Sequence, residues 1–166
     1  MKTVVFGSKI FGLKGLSFLL TQDIEIKGVF TAPYKKGFRY PDLMAELAQH
    51  NNVPVFHFDD INSKESISTI RNLNPDIMFV FSYHQIFKED ILNIPLQGIV
   101  NTHFSLLPKY AGSGNLKAIL ENKEKKSGVT LYYLNQGVDK GDIISQSVVG
   151  IHPTDSIDSL YFRCCD

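Results

Sequence analysis

Short runs rich in β-branched and aromatic residues alternate with stretches whose apolar residues recur at helical spacing, and this alternation continues along the whole chain. The predicted strands are Thr3–Phe6, Ile24–Thr31, Val53–Phe56, Asp76–Phe81, Gln97–Thr102, Gly128–Leu134 and Asp142–Val149. The predicted helices are Phe11–Leu20, Pro41–Asn51, Asn62–Asn72, Asn115–Asn122 and one that begins at Asp155. Strands connected through helices form parallel sheets covered on both faces. We therefore predict an α/β fold with a doubly wound, mostly parallel sheet.

Residue preferences support two of these helices. Proline is favoured in the first turn of a helix, which fits Pro41, and Leu43 and Leu47 then lie on one side of that helix. The helix predicted over 62–72 has a suitable N-cap in Ser63 or Asn62.

The size and composition of the chain suit a single globular domain. Its 166 residues can bury a substantial core, and 43% of them are hydrophobic while 20% are charged. We expect one catalytic domain over residues 1–166, with the chain stopping inside its last helix. The segment 33–40 is predicted to be the most mobile loop.

The charge balance and the cysteines restrict partners and location. A formal net charge of +0 argues against a surface built to hold nucleic acid. Lys9 and Lys14 interrupt the N-terminal apolar run, so it does not resemble a signal peptide, and no stretch is long enough to span a bilayer. Cys164 and Cys165 are adjacent and are predicted to be free thiols. We expect a cytoplasmic protein, and the sequence leaves a homodimer open.

Two polar residues, Asn101 and His103, follow the apolar run at 98–100. Residues two apart on an extended backbone project from the same face, so the amide and the imidazole can meet at one point. Together they can stabilise a developing oxyanion and handle a proton. Taken singly, an Asn at a strand end is usually a turn residue and a lone His is usually a packed or surface group. The segment 82–86 follows another strand end, where ligands bind in such sheets.

The longer pattern around these residues is more specific. The sequence Asn-x-His-x-Ser-Leu-Leu-Pro-x-Tyr-x-Gly over 101–112 resembles the signature of the formyltetrahydrofolate-dependent formyltransferases. The similarity continues through Gly128-Val-Thr-Leu and through Gly137-Val-Asp-Lys-Gly-Asp-Ile-Ile, and looser similarity covers nearly the whole chain. The family contains glycinamide ribonucleotide transformylase, methionyl-tRNA formyltransferase and the amino-sugar N-formyltransferases.

The resemblance implies transfer of a formyl group from 10-formyltetrahydrofolate to a primary amine, with Asn101, His103 and Asp139 as catalytic residues. Asn101 and a protonated His103 would donate hydrogen bonds to the oxyanion, each worth roughly 3–4 kcal/mol of barrier. Asp139 would hold His103 as the cation and relay the proton of the attacking amine. Asp142 is the rival carboxylate, and either Asp could instead only shape the turn.

The folate is expected as a co-substrate, and no metal is required. The resemblance implies an apolar slot for its pterin, formed by Tyr83, His84, Gln85 and Ile86 together with Gln136, Gly137 and Val138. Tyr83 and His84 could equally be rim residues without this role. Candidate contacts to the acceptor are Gly7 and Ser8, at a turn suited to an anion, and also Ser105 and Tyr110.

The acceptor is the least defined part. The opening turn at 7–13, the stretch 81–86 and the Leu-Pro-Lys-Tyr segment look most like enzymes that formylate a nucleotide-linked 4-amino sugar, so we expect a small-molecule amine of this kind. The alternatives are the catalytic domain of a methionyl-tRNA formyltransferase, or an inactive folate- or nucleotide-binding relic. Relatives usually have Arg-Gly, a small residue and Pro where this chain has Ala-Gly-Ser-Gly-Asn over 111–115.

Other enzyme classes fit less well. The first turn, 6–12, is not Gly-x-Gly-x-x-Gly, and the second predicted strand ends without an acidic residue for a ribose, which counts against NAD. The five histidines, at positions 50, 57, 84, 103 and 152, form no metal-binding spacing. The nucleophile elbow of serine hydrolases is absent from the sequence.

Overall fold

The structure is a computed structural model that describes residues 1–32 and 42–166. The chain separates into two compact units, Met1–Val100 and Asn101–Asp166. The mobile loop predicted over 33–40 and the helix start predicted at Pro41 lie outside the described residues. The expectation of one domain over the whole chain stays a prediction.

The first unit is built on parallel strands. These are β1 (Lys2–Gly7), β2 (Glu25–Thr31), β3 (Val55–His57) and β4 (Ile77–Phe81), and β5 (Ile99–His103) begins in this unit. The hydrogen-bonded order starts β3-β2-β1-β4-β5, and β1 is parallel to both β2 and β4. The order therefore reverses between β1 and β4, which is the switch point of a doubly wound sheet. The predicted α/β class with a mostly parallel sheet is confirmed.

The described residues of the first unit form four helices: α1 (Lys9–Leu20), α2 (Leu43–His50), α3 (Lys64–Leu73) and the single turn α4 (Glu89–Leu92). Ser63 is the N-cap of α3, since its hydroxyl accepts from Ser66 N, and this decides between the two predicted caps. The helix α4 was not predicted from the sequence.

One cluster of the first unit's core lies between the strands and the first two helices. Its buried members are Val5, Leu16, Leu19, Val29, Met44, Ala48, Val53 and Phe81. Of the two leucines predicted on one side of α2, Leu43 is 48% exposed, while Leu47 is partly buried and packs against this cluster. The buried face of α2 is one position further along and consists of Met44, Ala45 and Ala48.

The second unit contains the end of β5, the helices α5 (Asn115–Glu121) and α6 (Ile157–Cys164), and the antiparallel pair β6 (Lys126–Tyr133) and β7 (Ile143–Gly150). Leu116, Ile119, Leu160 and Cys164 form its buried cluster. The last helix begins at Ile157, not at Asp155 as predicted, because Ser156 caps it through a capping box with Ser159. Within residues 1–32 and 42–166, every helix is too short or too polar to cross a membrane.

Candidate active site

Strand β5 carries both residues of the Asn-x-His pair, and their side chains reach the same carboxylate by different routes. The imidazole Nδ1 of His103 lies 3.3 Å from Oδ2 of Asp139. The amide Nδ2 of Asn101 donates to the hydroxyl of Tyr132 at 2.7 Å, and that hydroxyl donates to Oδ1 of Asp139 at 2.5 Å. The second unit thus brings Asn101, His103 and Asp139 together around one point, as the sequence pattern predicted.

The contacts of His103 determine where its hydrogens lie. Its Nε2 is 2.8 Å from the backbone oxygen of Tyr110, and a carbonyl can only accept, so Nε2 carries a hydrogen. The Oδ2 of Asp139 accepts from Gly112 N at 2.7 Å, which suits an ionised carboxylate. The Nδ1 of His103 faces this carboxylate, and both side chains are largely buried, with 11% of His103 and 13% of Asp139 exposed.

Both ring nitrogens of His103 are thus occupied by protein groups. The side-chain amide nitrogen of Asn115 also lies 3.2 Å from Nε2. Direct donation from His103 to a substrate oxygen requires one of these contacts to be exchanged, so the predicted oxyanion role of His103 stays a prediction.

Tyr132 is the site residue that sequence reasoning missed. It lies on β6 with 0% exposure, two positions after the buried Thr130, so the two share one face of the strand. Burial raises the pKa of the Tyr132 hydroxyl well above its ordinary value, and the hydrogen bond to Asp139 adds to this. The sequence does contain a signal for Tyr132: it is a tyrosine two positions after Thr130 in a predicted strand, shortly before the Gly137–Asp142 motif.

The loop that carries Asp139 is set by close backbone packing. Asp139 itself has φ of 50°, in the left-handed region. A Cβ at Gly141 would lie 1.5 Å from the backbone oxygen of Tyr133, so only glycine fits there. Gly112, whose N–H anchors the carboxylate, has φ of 88°, which favours glycine. Asp142, the rival carboxylate, is exposed.

Two predicted acceptor contacts, Ser105 and Tyr110, hold the loop after β5. Ser105 is fully buried, and its hydroxyl donates to Lys109 O at 2.7 Å. The Tyr110 hydroxyl donates to Glu124 at 2.8 Å, while its carbonyl holds His103. These contacts are those of a structural turn, and a role in binding the acceptor stays a prediction for both residues.

The other two predicted acceptor contacts lie at the switch point of the first unit. Gly7 ends β1 and pairs with Phe81 of β4. Ser8 donates its backbone N–H to Phe81 O at 3.2 Å and its hydroxyl to Ser82 O at 2.5 Å. Because both donors of Ser8 are already used, the structure gives no support for an anion on that residue.

Four of the predicted folate residues belong to the first unit. The Tyr83 ring packs on Phe6, while its hydroxyl is buried without a hydrogen-bond partner, and burial raises its pKa to about 12. The side chain of Gln85 is used within this unit, since it accepts from Ile61 N and donates to Phe58 O. His84 stacks at an angle against Tyr83, and Ile86 is 76% exposed.

The remaining predicted folate residues, Gln136, Gly137 and Val138, belong to the second unit. Gln136 is exposed, and Val138 is 57% exposed. Gly137 N donates to Asn135 Oδ1 at 2.9 Å. That the two segments form one slot stays a prediction. Across residues 1–32 and 42–166, the His, Cys, Asp and Glu side chains include no group of three or more that could hold a metal ion.

The fold and the site describe a doubly wound α/β protein with an amide, an imidazole and a carboxyl group gathered at the end of a strand. The family model described as formyl transferase matches residues 1–166. The chain belongs to the formyl transferase family.

Named relatives include two methionyl-tRNA formyltransferases. The protein of Alkaliphilus oremlandii is 36% identical over 167 residues, which is 98% of this chain and 54% of the relative. The protein of Clostridioides difficile is 38% identical over 155 residues, which is 91% of this chain and 50% of the relative. This chain thus spans about half the length of these relatives.

Solved structures with the same fold include two enzymes whose names give glycinamide ribonucleotide as the molecule that is formylated. Phosphoribosylglycinamide formyltransferase from Bacillus halodurans superposes with a TM-score of 0.82 at 23% identity, covering 99% of this chain and 87% of that one. Glycinamide ribonucleotide transformylase 1 from Geobacillus kaustophilus gives a TM-score of 0.81 at 26% identity, covering 99% and 90%.

Proposed function

We propose that this chain transfers a formyl group from 10-formyltetrahydrofolate to a primary amine. The observation that carries the proposal is the connected set of Asn101, Tyr132, Asp139 and His103, in which each side chain hydrogen-bonds or ion-pairs with the next. Membership of the formyl transferase family supports the same chemistry. When bound, the folate supplies the one-carbon unit, and the side chains of this chain orient it and manage charge and protons.

Asn101 has the chemistry of the oxyanion donor. Its Nδ2 uses one hydrogen towards Tyr132, which leaves the second for an oxygen that becomes negative when an amine adds to the formyl carbon. Such a donor acts most strongly when it is already oriented and shielded from water. Asn101 is half-buried and held by a buried partner, which meets that condition.

The pair of His103 and Asp139 provides the charge and the proton acceptor that the reaction needs. The attacking amine loses a proton as it forms the new C–N bond, and Asp139 is the carboxylate nearest to the amide and the imidazole. The imidazole of His103 lies beside the same point and faces this carboxylate through Nδ1. Asp139 contacts His103 directly and reaches Asn101 through the hydroxyl of Tyr132.

Two exposed aliphatic side chains support the folate part of the proposal. Ile86 in the first unit and Val138 in the second are each more than half exposed, at 76% and 57%. Exposed aliphatic side chains of this size suit contact with a flat apolar ring system such as a pterin. The unpartnered hydroxyl of Tyr83 is a further group that a ligand could satisfy after a small movement.

For the acceptor we propose methionyl-tRNA, because the methionyl-tRNA formyltransferases match 98% and 91% of this chain at 36% and 38% identity. In the sequence analysis this acceptor was the alternative to a nucleotide-linked 4-amino sugar. The nucleotide-linked 4-amino sugar is kept as the second candidate, because the segments at 7–13 and 81–86 resemble that branch.

The test is a formylation assay with the purified chain and 10-formyltetrahydrofolate, offering either methionyl-tRNA or a nucleotide-linked 4-amino sugar. We expect turnover with methionyl-tRNA that is lost in His103→Ala. Turnover with the sugar alone would assign the second candidate. Folate binding without transfer to either acceptor would indicate a binding relic, and full turnover in His103→Ala would remove His103 from the reaction.

A further inference from the structure

The hydroxyl of Tyr132 stands between two residues of the proposed catalytic set. It accepts from Asn101 Nδ2 at 2.7 Å and donates to Oδ1 of Asp139 at 2.5 Å. A hydroxyl has one hydrogen, and an ionised carboxylate can only accept. The hydrogen of Tyr132 therefore points to Asp139, and its oxygen faces Asn101 as an acceptor.

This polarity selects one orientation of the Asn101 amide. The oxygen end of the amide would meet the hydroxyl oxygen with no hydrogen between them, which is repulsive, so the NH2 end must face Tyr132. The two ends of an amide are almost identical in shape, so packing alone distinguishes them poorly. Tyr132 is 0% exposed, so bulk water cannot replace its hydroxyl as the hydrogen-bond partner of the amide.

We infer that Tyr132 is a positioning residue whose hydroxyl, oriented by Asp139, holds the Asn101 amide with its donor nitrogen at the reaction point. The inference rests on the proposed function and adds to it a residue that touches neither substrate. It contacts two groups of the proposed catalytic set, Asn101 and Asp139, and no other part of the site. It therefore changes the rate of the chemical step and leaves substrate binding intact.

The first measurement compares Tyr132→Phe with Tyr133→Phe, using whichever acceptor the wild-type chain formylates. Tyr133 is the next residue on β6 and is 40% exposed, so it is a matched control for the loss of one hydroxyl. We expect kcat to fall about 10- to 100-fold in Tyr132→Phe, with each KM changed less than about threefold. An unchanged kcat, or a loss confined to KM, would overturn the inference.

The second measurement is a double-mutant cycle with Asn101→Ala. If Tyr132 works through Asn101, replacing Tyr132 should have little further effect in a chain that already lacks the Asn101 amide. In that background we expect Tyr132→Phe to lower kcat by less than about threefold. A purely structural role predicts the same loss in both backgrounds. Persistence of the full loss in the Asn101→Ala background would therefore overturn the inference.

The third measurement does not depend on turnover. In protein labelled with 15N-asparagine, the side-chain amide resonances of Asn101 should shift in Tyr132→Phe and stay in place in Tyr133→Phe. Resonances that do not move would show that Tyr132 does not hold the amide. A wild-type chain that transfers no formyl group would overturn the proposed function, and the resonances would still decide on the contact itself.

Discussion

His103 and Asp139 form an ion pair in which Nδ1 lies 3.3 Å from Oδ2, with both side chains largely buried. The same carboxylate receives hydrogen bonds from Gly112 N and from the hydroxyl of Tyr132. Three contacts around one carboxyl group leave little room for movement, so Asp139 is held in place beside the ring of His103. This arrangement makes Asp139 the centre of the site.

Replacing that carboxylate should abolish most of the activity. Asp139→Asn keeps the size of the side chain but removes the carboxylate that faces His103 and that would receive the amine's proton. General acid–base groups contribute about 10²- to 10⁴-fold, so we expect kcat to fall within that range in a steady-state formylation assay.

Asp142→Asn is the matched control for this prediction. Asp142 is exposed, and the contact described for it is made by its backbone oxygen, which accepts from Tyr133 N. We expect its kcat to stay within about twofold of wild type. Equal losses in the two variants would mean that Asp139 has no special role.

A methyl group at Gly141 should displace the loop that carries Asp139. The added Cβ would lie 1.5 Å from the oxygen and 2.7 Å from the carbon of the Tyr133 carbonyl, and backbone atoms cannot rotate away. We expect Gly141→Ala to lower the free energy of unfolding by about 1–3 kcal/mol or more, measured by urea titration. It should also lower kcat, because Asp139 would move.

Gly150→Ala is the control for that substitution, because a Cβ there has no neighbour within 4 Å. It should leave both the unfolding free energy and kcat nearly unchanged. A Gly141→Ala variant as stable and active as Gly150→Ala would show that the loop adapts freely.

The fold was predictable because its signals are local. Alternating apolar runs and helical spacings identified β1 to β5 and most of the helices within a few residues. The single turn α4 escaped because four residues carry no periodicity. The spacing of Leu43 and Leu47 did not show which face of α2 is buried, since the rotation of a helix depends on its tertiary partners, and the residue that reaches the core is Met44.

The candidate site was predictable only as far as its sequence motif extends. Asn101, His103 and Asp139 lie in recognisable segments, and the structure brings them together. Tyr132 was missed because its contact with Asn101 joins residues 31 positions apart and depends on which face of β6 it occupies. The contact between His103 Nε2 and the carbonyl of Tyr110 was missed as well, because it depends on the conformation of the loop after β5, which residue spacing does not predict.

Cys164 should react slowly with alkylating reagents in the folded chain. Both cysteines are buried, and burial raises the pKa of the Cys164 thiol to about 11. At pH 8 that leaves roughly one thiol in a thousand as the reactive thiolate. Iodoacetamide labelling followed by mass spectrometry should show little modification of Cys164 in buffer and complete modification in guanidinium. Rapid labelling in buffer would contradict the burial of this thiol.

The start of α6 should lose its stability in acid. Asp155 accepts from both guanidinium nitrogens of Arg163, at 2.6 Å and 2.8 Å, and also from His152 N at 2.7 Å. The hydrogen bond from Arg163, followed by that from His152, holds the pKa of Asp155 well below its ordinary value. The stabilisation is therefore fully present above the pKa of an unfolded aspartate, about 4, and is lost as the pH falls towards the lower folded value.

Asp155→Asn should accordingly lower the thermal midpoint at pH 7, and the difference from wild type should shrink as the pH is taken below about 4. Asp158→Asn is the matched control, because Asp158 is exposed in the first turn of the same helix, where an acidic side chain interacts favourably with the helix dipole. Its difference from wild type at pH 7 should be smaller. A difference for Asp155→Asn that stays constant from pH 7 into strong acid would show that the side chain acts through its shape and not through its charge.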